Sequence, residues 1–196
     1  MRRPRHRIRH LLFVLPRGPL GRLGARIMAR ANAPVERELA RAAHAGRDDT
    51  VLVIGPGPGV GAAALARTAR RVIAVEPSPL MLRHTGRRLE RLRRTDLAVE
   101  LYRATAAHTG VASGSVDVVV SGQNVMLWPD RAAGFAEQLR VLRPGGRMLV
   151  SSRTDWLGDE RDALPHEMRA AGFVDVRTWT WRSGRTVSVL FAAQRP

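Results

Sequence analysis

Residues 51–61 read VLVIGPGPGVG, from Val51 to Gly61, and the fold turns on how this stretch is interpreted. Four apolar residues run directly into alternating glycine and proline. A short apolar run bounded by turn signals fits a strand covered on both faces. The glycines after it remove the Cβ and let a ligand come close to the backbone. If a helix opens there, its free N–H groups and partial positive charge face the same ligand. Pro56 and Pro58 stiffen the loop at the cost of two donors. Residues 57–62 also fit the dinucleotide pattern G-x-G-x-x-A.

The next apolar run, Val72-Ile73-Ala74-Val75, ends in Glu76, 21 residues after Gly55. An acid at the end of a second strand can accept both hydroxyls of a ribose. Loop and acid together indicate an adenosine-containing cofactor. On these two features alone, a nicotinamide dinucleotide and S-adenosylmethionine fit equally.

Outward from this pair, strand and helix patterns alternate. Strands are expected at 50–54, 71–75, 97–102, 116–121 and 147–152, with helices at 59–69, 79–94, 131–142 and 161–171. Residues 174–181 and 186–193 read as a closing antiparallel pair around Ser183-Gly184. Upstream, residues 20–31 form a short amphipathic helix; Asn32-Ala33-Pro34 ends it, and a second helix starts for residues 35–45. The pattern predicts an α/β fold: a Rossmann-like, doubly wound, seven-stranded sheet, mostly parallel with an antiparallel C-terminal strand and helices on both faces. Residues 1–45 read as a basic arm with lid helices, and residues 46–196 as the core of a single domain.

The composition narrows the chemistry. There is no cysteine among the 196 residues, which excludes disulfides and thiolate-bound metals. No apolar run approaches the ~20 residues of a membrane span. All 33 basic residues are arginine, and the net charge is +16. Nine of these arginines and no acid fall within residues 1–35. Such an arm can steer toward nucleic acid or anionic lipid. Residues 11–15 are apolar, but Pro16-Arg17-Gly18-Pro19 interrupts them before a cleavage-like site, so the expectation is a cytoplasmic protein with a flexible arm over residues 1–18. Arg83, Arg87, Arg88, Arg91, Arg93 and Arg94 form a basic helix face, read chiefly as a solvated surface.

Four segments in order separate the two cofactors: VLVIGPGPG at 51–59, Val75-Glu76-Pro77-Ser78, GSVDVVVS at 114–121 and LRPGGRMLV at 142–150. Together they resemble the class I S-adenosylmethionine-dependent methyltransferases. The stretch from Gly21-Arg22-Leu23 to Asn32-Ala33 is more loosely similar to small bacterial members.

The resemblance implies a role for each matching position. Gly55, Pro56, Gly57 and Gly59 would pass the methionine and ribose parts of the cofactor, and Glu76 would bind the ribose hydroxyls. Pro77, Ser78 and Met81 would follow, with Met81 on the adenine and Thr105 and Ala106 at its edge. Ser121, Gln123 and Asn124 would leave the fourth strand beneath the sulfonium. Asp117 would be structural. Two positions depart from the family pattern: Val53 stands where an acid usually helps to hold the cofactor's amino group, and Thr105 where an Asp often accepts from the adenine. The hydroxyl of Thr105 can still accept; Val53 cannot, a loss of about 1.5–3 kcal/mol, or one to two decades of affinity, unless another group compensates.

The acceptor side is less legible. Methyl transfer chiefly requires an aligned nucleophile, and a hydroxyl nucleophile also needs a base. His108, in the loop after the third strand, is the leading candidate base, with His166 on the late helix a lesser one; His84, on an arginine-rich helix, reads as a surface group. Trp128, Asp155 and Trp156 are candidates for the substrate pocket. No metal motif is present. The expected partner is a small-molecule acceptor; RNA guided by the basic arm and a non-catalytic scaffold are the alternatives.

Overall fold

The computed structural model describes residues 18–196. Its centre is the run quoted above. Thr50–Ile54 (β1) is buried at every position, and it pairs in parallel with Arg71–Val75 (β2) on one side and Val116–Gly122 (β4) on the other. Ala98–Tyr102 (β3) extends the sheet beyond β2. Leu142–Arg153 (β5) lies parallel to β4. Val174–Ser183 (β6) and Thr186–Gln194 (β7) form the closing hairpin, with β7 inserted antiparallel to β5. The order is β3-β2-β1-β4-β5-β7-β6. This is the expected seven-stranded, doubly wound sheet, with β7 as the antiparallel strand. Strand order reverses between β1 and β4, so the ligand crevice of such a fold lies beyond their carboxyl ends.

The alternation of side chains along β1 divides the core in two. Leu52 and Ile54 join Ile73, Phe135, Met148 and Phe191 on one face. Val51 and Val53 join Leu39, Ala62, Leu65 and Leu149 on the other. Leu39 belongs to the first helix, Gly18–Ala42 (α1); Ala62 and Leu65 belong to Val60–Leu65 (α2). The remaining helices that position the site are Pro79–Glu90 (α3) and Arg131–Val141 (α4).

Two local expectations change. The helices expected at 20–31 and 35–45 are one continuous helix, α1, with Pro34 inside it. Pro34 cannot donate to the carbonyl of Arg30, yet Ala25, Val35 and Leu39 are buried around it and hold the helix together across the lost bond. The helix expected at 59–69 ends at Leu65, and the guanidinium of Arg94 takes up the carbonyls of Ala66 and Ala69 at 2.7 and 3.1 Å. Arg94 and Arg88, which donates to the Pro58 carbonyl at 2.9 Å, thus leave the basic helix face for scaffold duties.

Asp117 accepts from the Thr50 N–H at 2.7 Å and pairs with Arg143 at 2.6 Å. It ties the start of β4 to the start of β1, away from the crevice. Among the described residues no helix is long and apolar enough to cross a membrane, and no His/Cys/Asp/Glu group could hold a metal ion. The arm expected over residues 1–18 lies outside the described residues apart from its last, Gly18, which opens α1.

Candidate functional site

The glycine loop is a cradle closed from below by α3. Gly55, Gly57 and Gly59 all have positive φ, at 59°, 54° and 81°. At Gly59, which caps α2, space is short as well: a Cβ there would lie 2.8 Å from Thr85 Cα. Thr85 donates its hydroxyl to the Gly57 carbonyl at 2.9 Å and so fixes the loop from α3.

Glu76 stands at the end of β2, only 6% exposed. It accepts from the Gly57 N–H at 3.1 Å and the Ser78 N–H at 2.9 Å. Burial pushes its pKa up, and the two N–H groups pull it back. Each carboxylate oxygen keeps lone-pair capacity for a ribose hydroxyl. Ser78 caps α3, accepting from the Met81 N–H at 3.4 Å, while Pro77 is exposed. Met81 is buried against Ala25 of α1 and Leu80.

At the end of β4 the polar side chains are committed to the scaffold. Asn124 donates to the carbonyls of Ile54, Gly55 and Gly122 at 2.8, 3.2 and 3.1 Å. Its oxygen accepts from the Ser121 hydroxyl at 2.8 Å and the Trp128 indole at 2.9 Å. Gln123, at φ 59°, accepts from the Arg153 N–H at 3.0 Å and donates to Ser151 at 3.3 Å. These bonds set the spacing of the β1 and β4 ends. Trp128 packs on Phe135 with ring centroids 5.4 Å apart, and a Cβ on Gly134 would meet its ring.

Thr105 and His108 are exposed and bridge each other through backbone bonds of 3.3 Å. Ala106 gives its carbonyl to Gln138 at 2.6 Å. Asp155 forms a bidentate pair with Arg153 at 2.9 and 2.7 Å, and the Arg153 guanidinium lies 5.2 Å over Trp156. His84 is half-buried on α3. His166 lines a separate cleft of about 430 Å³ with Arg161, Thr178 and Trp179, under the β6-β7 edge of the sheet.

Helix α1 brings two residues to the cradle that the sequence reading passed over. Met28 places its sulfur 3.7 Å from where a Cβ on Gly57 would stand. Glu36 presses its carboxylate against Gly61 and Gly122; a Cβ on Gly122 would lie 2.8 Å from Glu36 Oε1, and one on Gly61 would overlap Oε2. Burial pushes the Glu36 pKa up to about 7. A signal existed: Glu36 is the first acid in the chain and lies eleven residues, close to three full turns, after Ala25. It therefore shares a helical face with a residue that is buried.

The donor set suits S-adenosylmethionine. A glycine cradle that added Cβ atoms would crowd, with the carboxylates of Glu76 and Glu36 beside it, admits a ligand that carries hydroxyl and ammonium donors, as S-adenosylmethionine does.

The family model described as a methyltransferase domain matches residues 52–150. A Mycolicibacterium smegmatis protein named "Probable S-adenosylmethionine-dependent methyltransferase" is 41% identical over 115 residues, covering 57% of this chain and 41% of that protein. An uncharacterized methyltransferase of Mycobacterium sp. (strain KMS) is 38% identical over 109 residues, covering 56% and 40%. The chain thus spans about two-fifths of the length of these curated relatives. Among solved structures, phosphoethanolamine N-methyltransferase 2 of Haemonchus contortus, in complex with phosphomonomethylethanolamine and S-adenosylhomocysteine, superposes with a TM-score of 0.73 at 14% identity, over 89% of this chain and 57% of that one. A SAM-dependent methyltransferase of Aquifex aeolicus gives 0.71 at 14%, over 86% and 93%. With the matched segment running from β1 to β5 through both the glycine loop and Glu76, the chain belongs to the methyltransferase-domain family, the class I S-adenosylmethionine-dependent methyltransferases.

Proposed function

We propose that the protein transfers the methyl group of S-adenosylmethionine to a small-molecule acceptor. The observation that carries this reading is the position of α1. It lies directly over the glycine loop, with Met28 against Gly57 and Glu36 against Gly61 and Gly122. A crevice roofed in this way suits a compact acceptor better than a polynucleotide backbone, which needs an open, positively charged track. The first helix acts as a lid, and residues 46–196 supply the core beneath it.

The bound cofactor supplies an activated methyl group. The chain's own residues bind and orient it. Glu76 accepts the ribose hydroxyls while Gly57 and Ser78 hold its carboxylate in place. Asn124 fixes the distance between the ends of β1 and β4 on which the methionine part lies. Met81 and Ala106 offer apolar contact to the adenine, and Thr105 serves its edge. Trp128, Asp155 and Trp156 stand on the acceptor side, and His108 is the base for a hydroxyl acceptor.

The test is label transfer from methyl-tritiated S-adenosylmethionine, offered separately to the dialysable metabolite fraction and to total RNA. Label is expected in the metabolite fraction. Label confined to RNA, lost as salt rises, would replace this reading with that of an RNA methyltransferase.

A further inference from the structure

We infer that Glu36 of α1 is the counter-charge for the α-ammonium group of S-adenosylmethionine, and that the lid helix therefore closes on the cofactor itself; the inference rests on the cofactor reading above. The chain is rich in arginine, yet among the described residues burial alone acts on the Glu36 carboxylate, with no hydrogen-bond or charge partner beside it. A carboxylate drawn out of water without a partner is costly, and burial raises its pKa accordingly. Partial solvent access remains, so a ligand can reach it. The niche is shaped for this group. Gly61 and Gly122 are the two places where a Cβ would collide with the carboxylate.

The position selects which part of the ligand is held. Glu76 fixes the ribose at the end of β2, and Gly122 ends β4; β1 lies between them. Two strand spacings, roughly 10 Å, separate these points, about the reach from the ribose hydroxyls to the amino group of an extended cofactor. That far end carries one cation and one anion, and a carboxylate selects the cation. Val53 faces the core layer that includes Leu39, one turn after Glu36 on α1. The acid missing from position 53 is thus replaced from the helix that covers the same face.

The experiment is calorimetric titration of the full chain with S-adenosylhomocysteine and with its deamino analogue, which keeps the carboxylate and loses only the amine. The wild type is expected to prefer the amine-bearing ligand. In Glu36→Gln, binding of S-adenosylhomocysteine should weaken by about 10–100-fold, the value of a charge-assisted hydrogen bond, while the deamino analogue is unaffected. Gly122→Ala, which pushes the carboxylate aside, should show the same collapse of preference. Melting curves check folding, and Glu36→Gln should melt no lower than the wild type. If Glu36→Gln keeps the wild-type preference for the amine, the assignment is overturned. If the wild type binds neither ligand, the cofactor reading itself fails and takes the assignment with it; binding of both with no preference overturns the assignment alone.

Discussion

Glu76 holds the glycine loop through the N–H groups of Gly57 and Ser78, and the proposed ribose contact would use its remaining lone pairs. Removing the carboxylate therefore has two separable effects. Glu76→Ala leaves the N–H groups of Gly57 and Ser78 without their acceptor, and a fall in stability of about 2–4 kcal/mol is expected in urea denaturation. Glu76→Gln keeps one acceptor oxygen and the shape. It should cost less stability but still lower affinity for S-adenosylhomocysteine by about 10–100-fold, read by calorimetry. Gly59 presents a different constraint, since it combines φ 81° with a Cβ position 2.8 Å from the Thr85 backbone. Gly59→Ala incurs both left-handed strain and a backbone clash that no rotamer relieves. A loss of roughly 2–4 kcal/mol is expected, lowering Tm by about 5–15 °C.

For the elements, the junction of β1 and β4 and the middle of α1 are the informative places. Asn124 gives its amide to three carbonyls at once, so the ends of both strands depend on a donor. Asn124→Asp is nearly isosteric but turns the donor into a carboxylate facing those carbonyls. A destabilisation of about 3–5 kcal/mol is expected, and denaturation midpoints at neutral pH measure it. In α1 the reverse holds. Pro34 interrupts a helix that packing sustains, so Pro34→Ala restores an N–H donor and removes a ring clash. The variant should be more stable by about 1–3 kcal/mol, visible as a higher Tm. The single helix was not legible from the residues because proline's local preference argues for a break, and only the burial of Ala25, Val35 and Leu39 on either side outweighs it.

Across the whole molecule, the buried Glu36 shapes the dependence of stability on pH. Its folded pKa of about 7 exceeds the ordinary 4.5. The folded state therefore favours the protonated form. This favourable contribution is complete below about pH 4.5 and is lost as pH rises to about 7, a difference of at most roughly 3 kcal/mol, since the side chain keeps partial solvent access. Glu137 acts in the opposite sense. Arg140 and Thr109 hold it down to about 2, so its contribution is present above 4.5 and lost as pH falls through 2. Denaturation of the ligand-free protein at pH 5 and pH 8 should show that Glu36→Gln removes a loss that the wild type suffers at the higher pH. An equal pH dependence in both proteins would show that the carboxylate is solvated.

The central strands, their order of occurrence, the glycine loop and the acid 21 residues beyond Gly55 were all determined by the sequence itself, because burial on both faces demands continuous apolar runs and a tight loop at positive φ demands glycine. Those are local requirements, and local residues announce them. Which polar groups gather around the glycine loop was decided by tertiary structure. The sequence sets Asn124 and Gln123 after the fourth strand, but only the fold shows their side chains tying β4 to β1 and β5. Glu36 carries no site motif in the sequence, and only the packing of α1 lays it against Gly61 and Gly122. A hydrogen bond between residues 70 apart, or a carboxylate delivered from another element, leaves no periodicity in the chain. Such contacts exist only once the helix has packed across the sheet.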